Sequence, residues 1–301
     1  MVFFLFFQLH IIFLIRHTRV YNPTELKCYG TSALVGALAG MLAAHYDRPN
    51  TGMALGIEIP VLWDFEAGYK WGVNWGLSWL ENNHPEALEG EDIDDTPIKD
   101  RVLWTYTGTF SDPAAGYNAA QSQFGQGAVA CYNVGGPIGL GIFRAAEEIH
   151  NQENIPIGKP PFGIGVDANQ DWVRPGYIIA SGVKRVDVGV TTAAQWVAEG
   201  TFREKIQEEN GVWVGGMKNN AVGISDMSSL ETFLEFGIET GEITYDEFPE
   251  IKQKVRDMRD AQPDWVWEGV NELKNRILND EVTVPPAATS EEIQEIRNKY
   301  G

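Results

Sequence analysis

The sequence predicts an α/β fold in which a parallel sheet is covered by helices on both faces. Two observations carry this. Short apolar runs alternate along the chain with longer segments of helical spacing, which is the pattern of βαβ units. The run AVACYNV is apolar without polar alternation, as expected of a strand buried on both faces. A length of 301 residues exceeds one ordinary domain and suggests two lobes.

Taken in order, GTSALVGALAGMLAAHY (30–46) has the small-residue spacing of a packed helix, ended by the polar residues Asp47 to Asn50. TGMALGIEIP follows as a strand closed by Pro60. The next helix carries two stripes at four-residue spacing, Gly68, Gly72 and Gly76 beside Trp71, Trp75 and Trp79. Each internal glycine costs a helix about 1 kcal/mol relative to alanine, so three in register imply a close approach. The expected partner is the sheet, with the tryptophans wedging the flanks. Glu66 and Lys70 are expected as an exposed i,i+4 pair.

Beyond the acidic loop EGEDIDDTPIKD come a strand in RVLWTYTGTF, a helix in DPAAGYNAAQSQFGQG, the strand AVACYNV, a helix in IGLGIFRAAEEIHNQ and the strand FGIGVD. The pattern continues with YIIASG, a helix VDVGVTTAAQWVAEG, short strands in GVWVGG and NAVGIS, and a mainly polar helical tail from Ser228. There is no internal repeat and no low-complexity segment.

The bulk chemistry excludes several functions. A net charge of -19 repels phosphate backbones, so no nucleic-acid partner is expected. Cys28 and Cys131 lie in no CxxC or Cys/His cluster, which removes a zinc site or disulfide framework, and no metal or cofactor is expected. Cys131 reads as a small core residue. The N-terminal MVFFLFFQLHIIFLIRHTRV (1–20) has an apolar run to Ile15 followed by Arg16, His17 and Arg19, and reads as an export signal, a membrane anchor or a segment foreign to the fold.

In open parallel sheets ligands bind outside the carboxyl ends of the strands. Those ends supply Glu58, Thr107 to Phe110, Gly135 to Pro137, and Asp167 with Asn169 and Gln170. The set holds no nucleophile with base and orienter, no GxSxG and no P-loop, and GGPIGLG has the wrong spacing for a dinucleotide fingerprint. Binding without catalysis fits better than an enzyme. Asp167 has the position and chemistry to accept two hydrogen bonds from vicinal hydroxyls, or to serve as a turn or capping residue. Lys184 and Arg185 are ligand contacts or salt-bridge partners. Phe110 stacks on a base or packs in the core.

GIEIPVLWDFEAGY, WTYTGTFSDPAAGYNAA, VGGPIGLGIF, GVDANQD and VKRVDVGV, in this order, resemble the basic membrane protein family of ABC transporter substrate-binding proteins, from about Gly30 to Ser225. The resemblance implies a type I periplasmic-binding fold, a purine nucleoside held between two lobes, delivery to an ABC permease and an extracytoplasmic, lipoprotein-like location. It implies that Asp167 holds the ribose hydroxyls, that Lys184 stands beside it, and that Gly135 and Gly136 line the pocket. Glu58 stands where the family often has Asp. By the same resemblance residues 21–50 are the remnant of an incomplete first lobe, 51–176 the second lobe, and 177–301 crossover segments and C-terminal helices completing both. Weak ligand affinity and exposed sheet edges would follow. The competing readings are a ligand-sensing regulator of the same fold and a non-functional remnant; an enzyme such as a nucleoside hydrolase would need more strand-end carboxylates than Asp167 and Glu58.

Overall fold

The computed structural model describes residues 24–90 and 100–301. The apolar segment 1–20 lies outside these, as does most of the acidic loop. Six strands form the main sheet: β2 (Asn50–Leu55), β3 (Val102–Tyr106), β4 (Ala128–Val134), β5 (Phe162–Asp167), β6 (Ile178–Lys184) and β8 (Val222–Ile224). Their order is β3-β2-β4-β5-β6-β8, parallel except for β8, which runs antiparallel to β6. β1 (Thr24–Leu26) and β7 (Trp213–Gly215) make a separate parallel pair.

Helices cover both faces, as the alternation of runs predicts. On one lie α1 (Cys28–His45) and α2 (Pro60–Asn83); on the other lie α3 (Pro113–Gly125) and α4 (Ile138–Glu153). The period-two alternation of β4 assigns its side chains accordingly. Ala130, Tyr132 and Val134 pack with α1 and α2, and Cys131 with α3 and α4, fully buried as read from its sequence context. Then come α5 (Val186–Ala198), α6 (Phe202–Glu208), α7 (Met227–Glu239), α8 (Phe248–Asp260), α9 (Asp264–Leu278) and α10 (Ser290–Tyr300).

Three expectations are corrected. The strand TGMALGIEIP ends at Leu55, and Pro60 opens α2 instead of closing β2, because a residue without an N–H suits the first turn of a helix. The glycine stripe of α2 faces α1, not the sheet. A Cβ on Gly72 would lie 2.2 Å from the carbonyl oxygen of Ala33, and one on Gly68 or Gly76 would strike the oxygens of Tyr29 or Ala37. The contact is reciprocal, since Gly36 and Gly40 of α1 meet the carbonyls of Tyr69 and Val73. Small residues at four-residue spacing on both helices let the two backbones touch. Helix α1, which the resemblance groups with a first-lobe remnant, is thereby seated on the main sheet. Of the tryptophans, Trp79 is buried and donates its indole N–H to Glu272 Oε2 of α9 at 2.7 Å, while Trp71 and Trp75 are half-buried.

Third, Glu66 and Lys70 are not exposed: both side chains are 0% accessible, 3.2 Å apart. Burial works to raise the Glu66 carboxyl, but hydrogen bonds from Arg297 and Tyr106 and the charge of Lys70 hold it below the ordinary carboxylate value. Burial pulls the Lys70 ammonium down to about 8, against the opposing pull of Glu66. Lys70 also lies 4.5 Å from the centroid of the Trp104 ring.

Two measurements check this packing. Gly72→Ala should cost about 2 kcal/mol or more in urea unfolding, by overpacking against backbone. Gly125→Ala, where a Cβ meets nothing within 4 Å, should be neutral or stabilising. For Lys70, the unfolded chain keeps a proton between pH 8 and 10.5 that the folded chain releases. The stability of the wild type relative to Lys70→Met should therefore rise with pH through that window; a flat difference would show that the ammonium is not destabilised by its burial.

Candidate ligand site at the strand ends

Counting only β2 to β6, the parallel strands run in spatial order second, first, third, fourth, fifth, so the winding reverses between β2 and β4. Loops leaving adjacent strands on either side of such a reversal diverge to opposite faces and open a crevice at their carboxyl ends. Here those loops are Gly56 to Ile59 after β2 and Gly135 to Pro137 after β4.

The two loops are in contact. Gly56 N–H donates to Val134 O at 3.0 Å, and a Cβ on Gly135 would lie 3.3 Å from Gly56 N. The Phe110 ring, delivered by the loop after β3, packs directly over Gly56, so close that a Cβ there would fall 2.2 Å from its Cε1. Phe110 is half-buried and packs against the margin of the core. Gly136 has φ +57, the left-handed region that glycine occupies without penalty, and a Cβ on it would meet nothing within 4 Å. The turn is held by Asn133, whose Oδ1 accepts from Gly135 N–H at 3.1 Å and whose Nδ2 donates to Gly136 O at 3.1 Å. Asn133 also donates to Gln170 Oε1, which accepts from Val166 N–H at 2.8 Å and so ties the end of β4 to that of β5.

Asp167 ends β5 with φ +65, a conformation that aspartate tolerates better than most residues with a side chain. Its Oδ1 lies 2.7 Å from Nζ of Lys184, the last residue of the neighbouring β6, and its side chain is 43% accessible. Burial works to lower the Lys184 ammonium, but the Asp167 carboxylate outweighs it and the net position is above the ordinary lysine value. Lys184 is therefore a cation, with Phe65 of α2 5.8 Å from its charge. Arg185 turns away into an exposed bidentate pair with Asp187. From the end of β4 to that of β6 is two strand spacings, roughly 10 Å.

The structure brings Glu58, Phe110, Gly135, Gly136, Asp167 and Lys184 to one edge of the sheet. Asn169 is on the same loop as Asp167 but turned inward, 1% accessible. Its Nδ2 donates to Ser229 Oγ at 3.1 Å and its Oδ1 accepts from Asp171 N–H at 3.0 Å, so it fastens the β5 loop to α7. Below it Asp171 is fully buried and accepts from Ser181 at 2.6 Å, Ser225 at 2.9 Å and Arg259 of α8 at 2.8 Å. Sequence reasoning missed Asp171 and Arg259, which stand 88 positions apart, and Arg297, which reaches Glu58 from α10. Among the described residues no group of three or more His, Cys, Asp or Glu is placed to hold a metal ion.

Residues 95–252 match the model of a family described as PnrA-like ABC transporter substrate-binding proteins, more than half of the chain. An uncharacterized lipoprotein of Pyrococcus horikoshii is 34% identical over 89% of this chain, and the chain spans only 60% of that relative's length. An ABC transporter nucleoside-binding protein of Lactococcus lactis is 27% identical over 55% of this chain and 44% of its own. Among solved structures, an ABC transporter solute-binding protein of Aeropyrum pernix superposes with a TM-score of 0.74 at 29% identity, covering 92% of this chain and 72% of the other.

The Asp171 cluster ties the β5 loop to β6 and α8, and its removal is a direct test. Asp171→Ala removes the counter-charge of the Arg259 guanidinium, leaving it only the neutral oxygens of Ser225, and takes the acceptor from the Ser181 and Ser225 hydroxyls; it should cost about 3–5 kcal/mol in urea unfolding. A loss below about 1 kcal/mol would mean that the cluster does not hold the β5 loop.

Proposed function

The chain belongs to the family of PnrA-like ABC transporter substrate-binding proteins, and on that premise we propose that it binds a nucleoside, in particular a purine nucleoside, at the strand ends and hands it to an ABC permease. The observation that carries the reading is the juxtaposition of Asp167 and Lys184 at neighbouring strand ends beside the open glycine turn at Gly136. A carboxylate accepts from both hydroxyls of a ribose diol, and an adjacent ammonium donates to an oxygen of the same sugar. The ion pair that now joins the two side chains would open to admit the diol between them. Gly136, where a Cβ would meet nothing within 4 Å, would let a ligand approach the backbone with no side chain in the way, and the buried Gly135 holds the turn that presents it.

The relatives named as lipoproteins support an extracytoplasmic, membrane-attached protein, with residues 1–20 as the segment that directs or anchors it. Helix α1 is long and apolar enough to cross a membrane, but it is 89% buried inside the fold and is read as a core helix.

Isothermal titration with adenosine, guanosine, inosine and uridine tests the proposal. At least one purine nucleoside should give saturable heat, uridine less, and Asp167→Ala should weaken binding by about tenfold to a hundredfold, the worth of a charge-assisted hydrogen-bond pair. No heat from any nucleoside with folded protein would refute the reading.

A further inference from the structure

Helix α10 packs on α2. Its Ile293 and Ile296 pack with Ala287 onto Ala67 and Trp63 of α2, and Ala287 N–H donates to Asp64 at 2.8 Å. From the same helix Arg297 reaches inward. Its Nε and Nη2 donate to the two oxygens of the buried Glu66, both at 2.8 Å. Nη2 also donates to Glu58 Oε1 at 2.9 Å.

The two carboxylates differ in what holds them. Glu66 is buried inside α2 with Lys70 and Tyr106 as further partners, so it serves as the anchor. Glu58 is 47% accessible and rides on the β2 loop at the point where the winding reverses. Its other contact is the indole N–H of Trp63, also to Oε1, at 3.3 Å. Among the described residues both hydrogen bonds thus reach one oxygen, and Oε2 is left as an acceptor at the rim of the crevice. A bidentate guanidinium has a planar, fixed fork, so the position of Glu66 dictates the position of Glu58 through Arg297.

We propose that Arg297 is a positioning residue for ligand recognition: it clamps Glu58 to Glu66, so that docking of α10 sets the rim carboxylate that accepts from a donor N–H or O–H of the bound molecule. The proposal rests on the reading that the strand ends bind a nucleoside. It assigns α10 a role in recognition that is exercised through Glu58. A lysine at position 297 would keep the charge but lose the fork, and would restore the arrangement only in part.

The test is a double-substitution cycle read in two ways. Glu58→Gln, Arg297→Gln, the double variant and Arg297→Lys are compared by hydrogen exchange at the amides bracketing the loop, Gly56 and Leu62 to Trp63, which donate to Val134 and Ile59. Arg297→Gln should speed their exchange roughly fivefold, with the double variant no faster than the faster single one and Arg297→Lys intermediate. The same proteins are titrated with guanosine, adenosine and inosine. Glu58→Gln and Arg297→Gln should each weaken binding about tenfold, and the pair together no more than either alone. Unchanged exchange at the loop, or losses in affinity that multiply, would overturn the proposal. If the wild type binds no nucleoside while the exchange cycle is non-additive, the clamp stands as a structural coupling; its role in recognition falls together with the nucleoside reading.

Discussion

The architecture depends on backbone touching backbone between α1 and α2. At Gly36 and Gly40 of α1, which face Tyr69 and Val73, and at Gly68, Gly72 and Gly76 of α2, which face Tyr29, Ala33 and Ala37, the helices approach so closely that a methyl group would collide with carbonyl oxygens. Side-chain packing alone keeps helix axes 8–10 Å apart, so the contact needs small residues on both partners. It lets α2 lie beside α1 across one face of the sheet. The start of α2 is thereby brought above the end of β2, and the loop between them, with Glu58, has its place decided from both sides.

A second constraint concerns Glu66 and Lys70 of α2, which are enclosed by Tyr106 and Trp104 of β3 and by Arg297 of α10, and a buried charge is tolerable only when paired and hydrogen-bonded. In a chain with a net charge of -19, cations are the scarcer resource, and this fold brings both Lys70 and Arg297 to Glu66, with Arg297 shared with Glu58. A well-packed apolar side chain at position 66 would occupy the same space with less desolvation, which makes the retained charge a matter of geometry more than of stability. Asp171 with Arg259 shows the same logic on β5, where the loop bearing Asp167 is fixed from α8.

The strands, the parallel sheet and the strand-end position of Asp167 were legible because each is encoded in a short run: AVACYNV buries both faces, and an Asp follows FGIGV directly. The glycine stripe announced a close approach but not the partner, since four-residue spacing looks the same against a sheet or a helix. The identifying signal was nearby, in the matching Ala33, Gly36, Ala37 and Gly40 of GTSALVGALAGMLAAHY. Glu66 and Lys70 read as exposed because their spacing is local, whereas the residue that completes their burial is Arg297, 231 positions beyond Glu66. Asn169 belonged to a ligand-rich stretch by position, and its fate was decided by Ser229, 60 positions away. Contacts at such separations leave no periodic trace in the intervening chain.

The cysteines have a use that their burial creates. Cys28, at the first turn of α1, is 2% accessible, and Cys131, in the centre of β4, is fully enclosed; neither forms a disulfide. Burial pushes the Cys131 thiol well up, so almost none of it is thiolate at neutral pH. Alkylating reagents reach these sulfurs only when the helix pair or the sheet opens. The rates of labelling at the two positions thus act as separate native clocks, one for release of α1 and one for rupture of the β-core, written into the chain without any engineered probe.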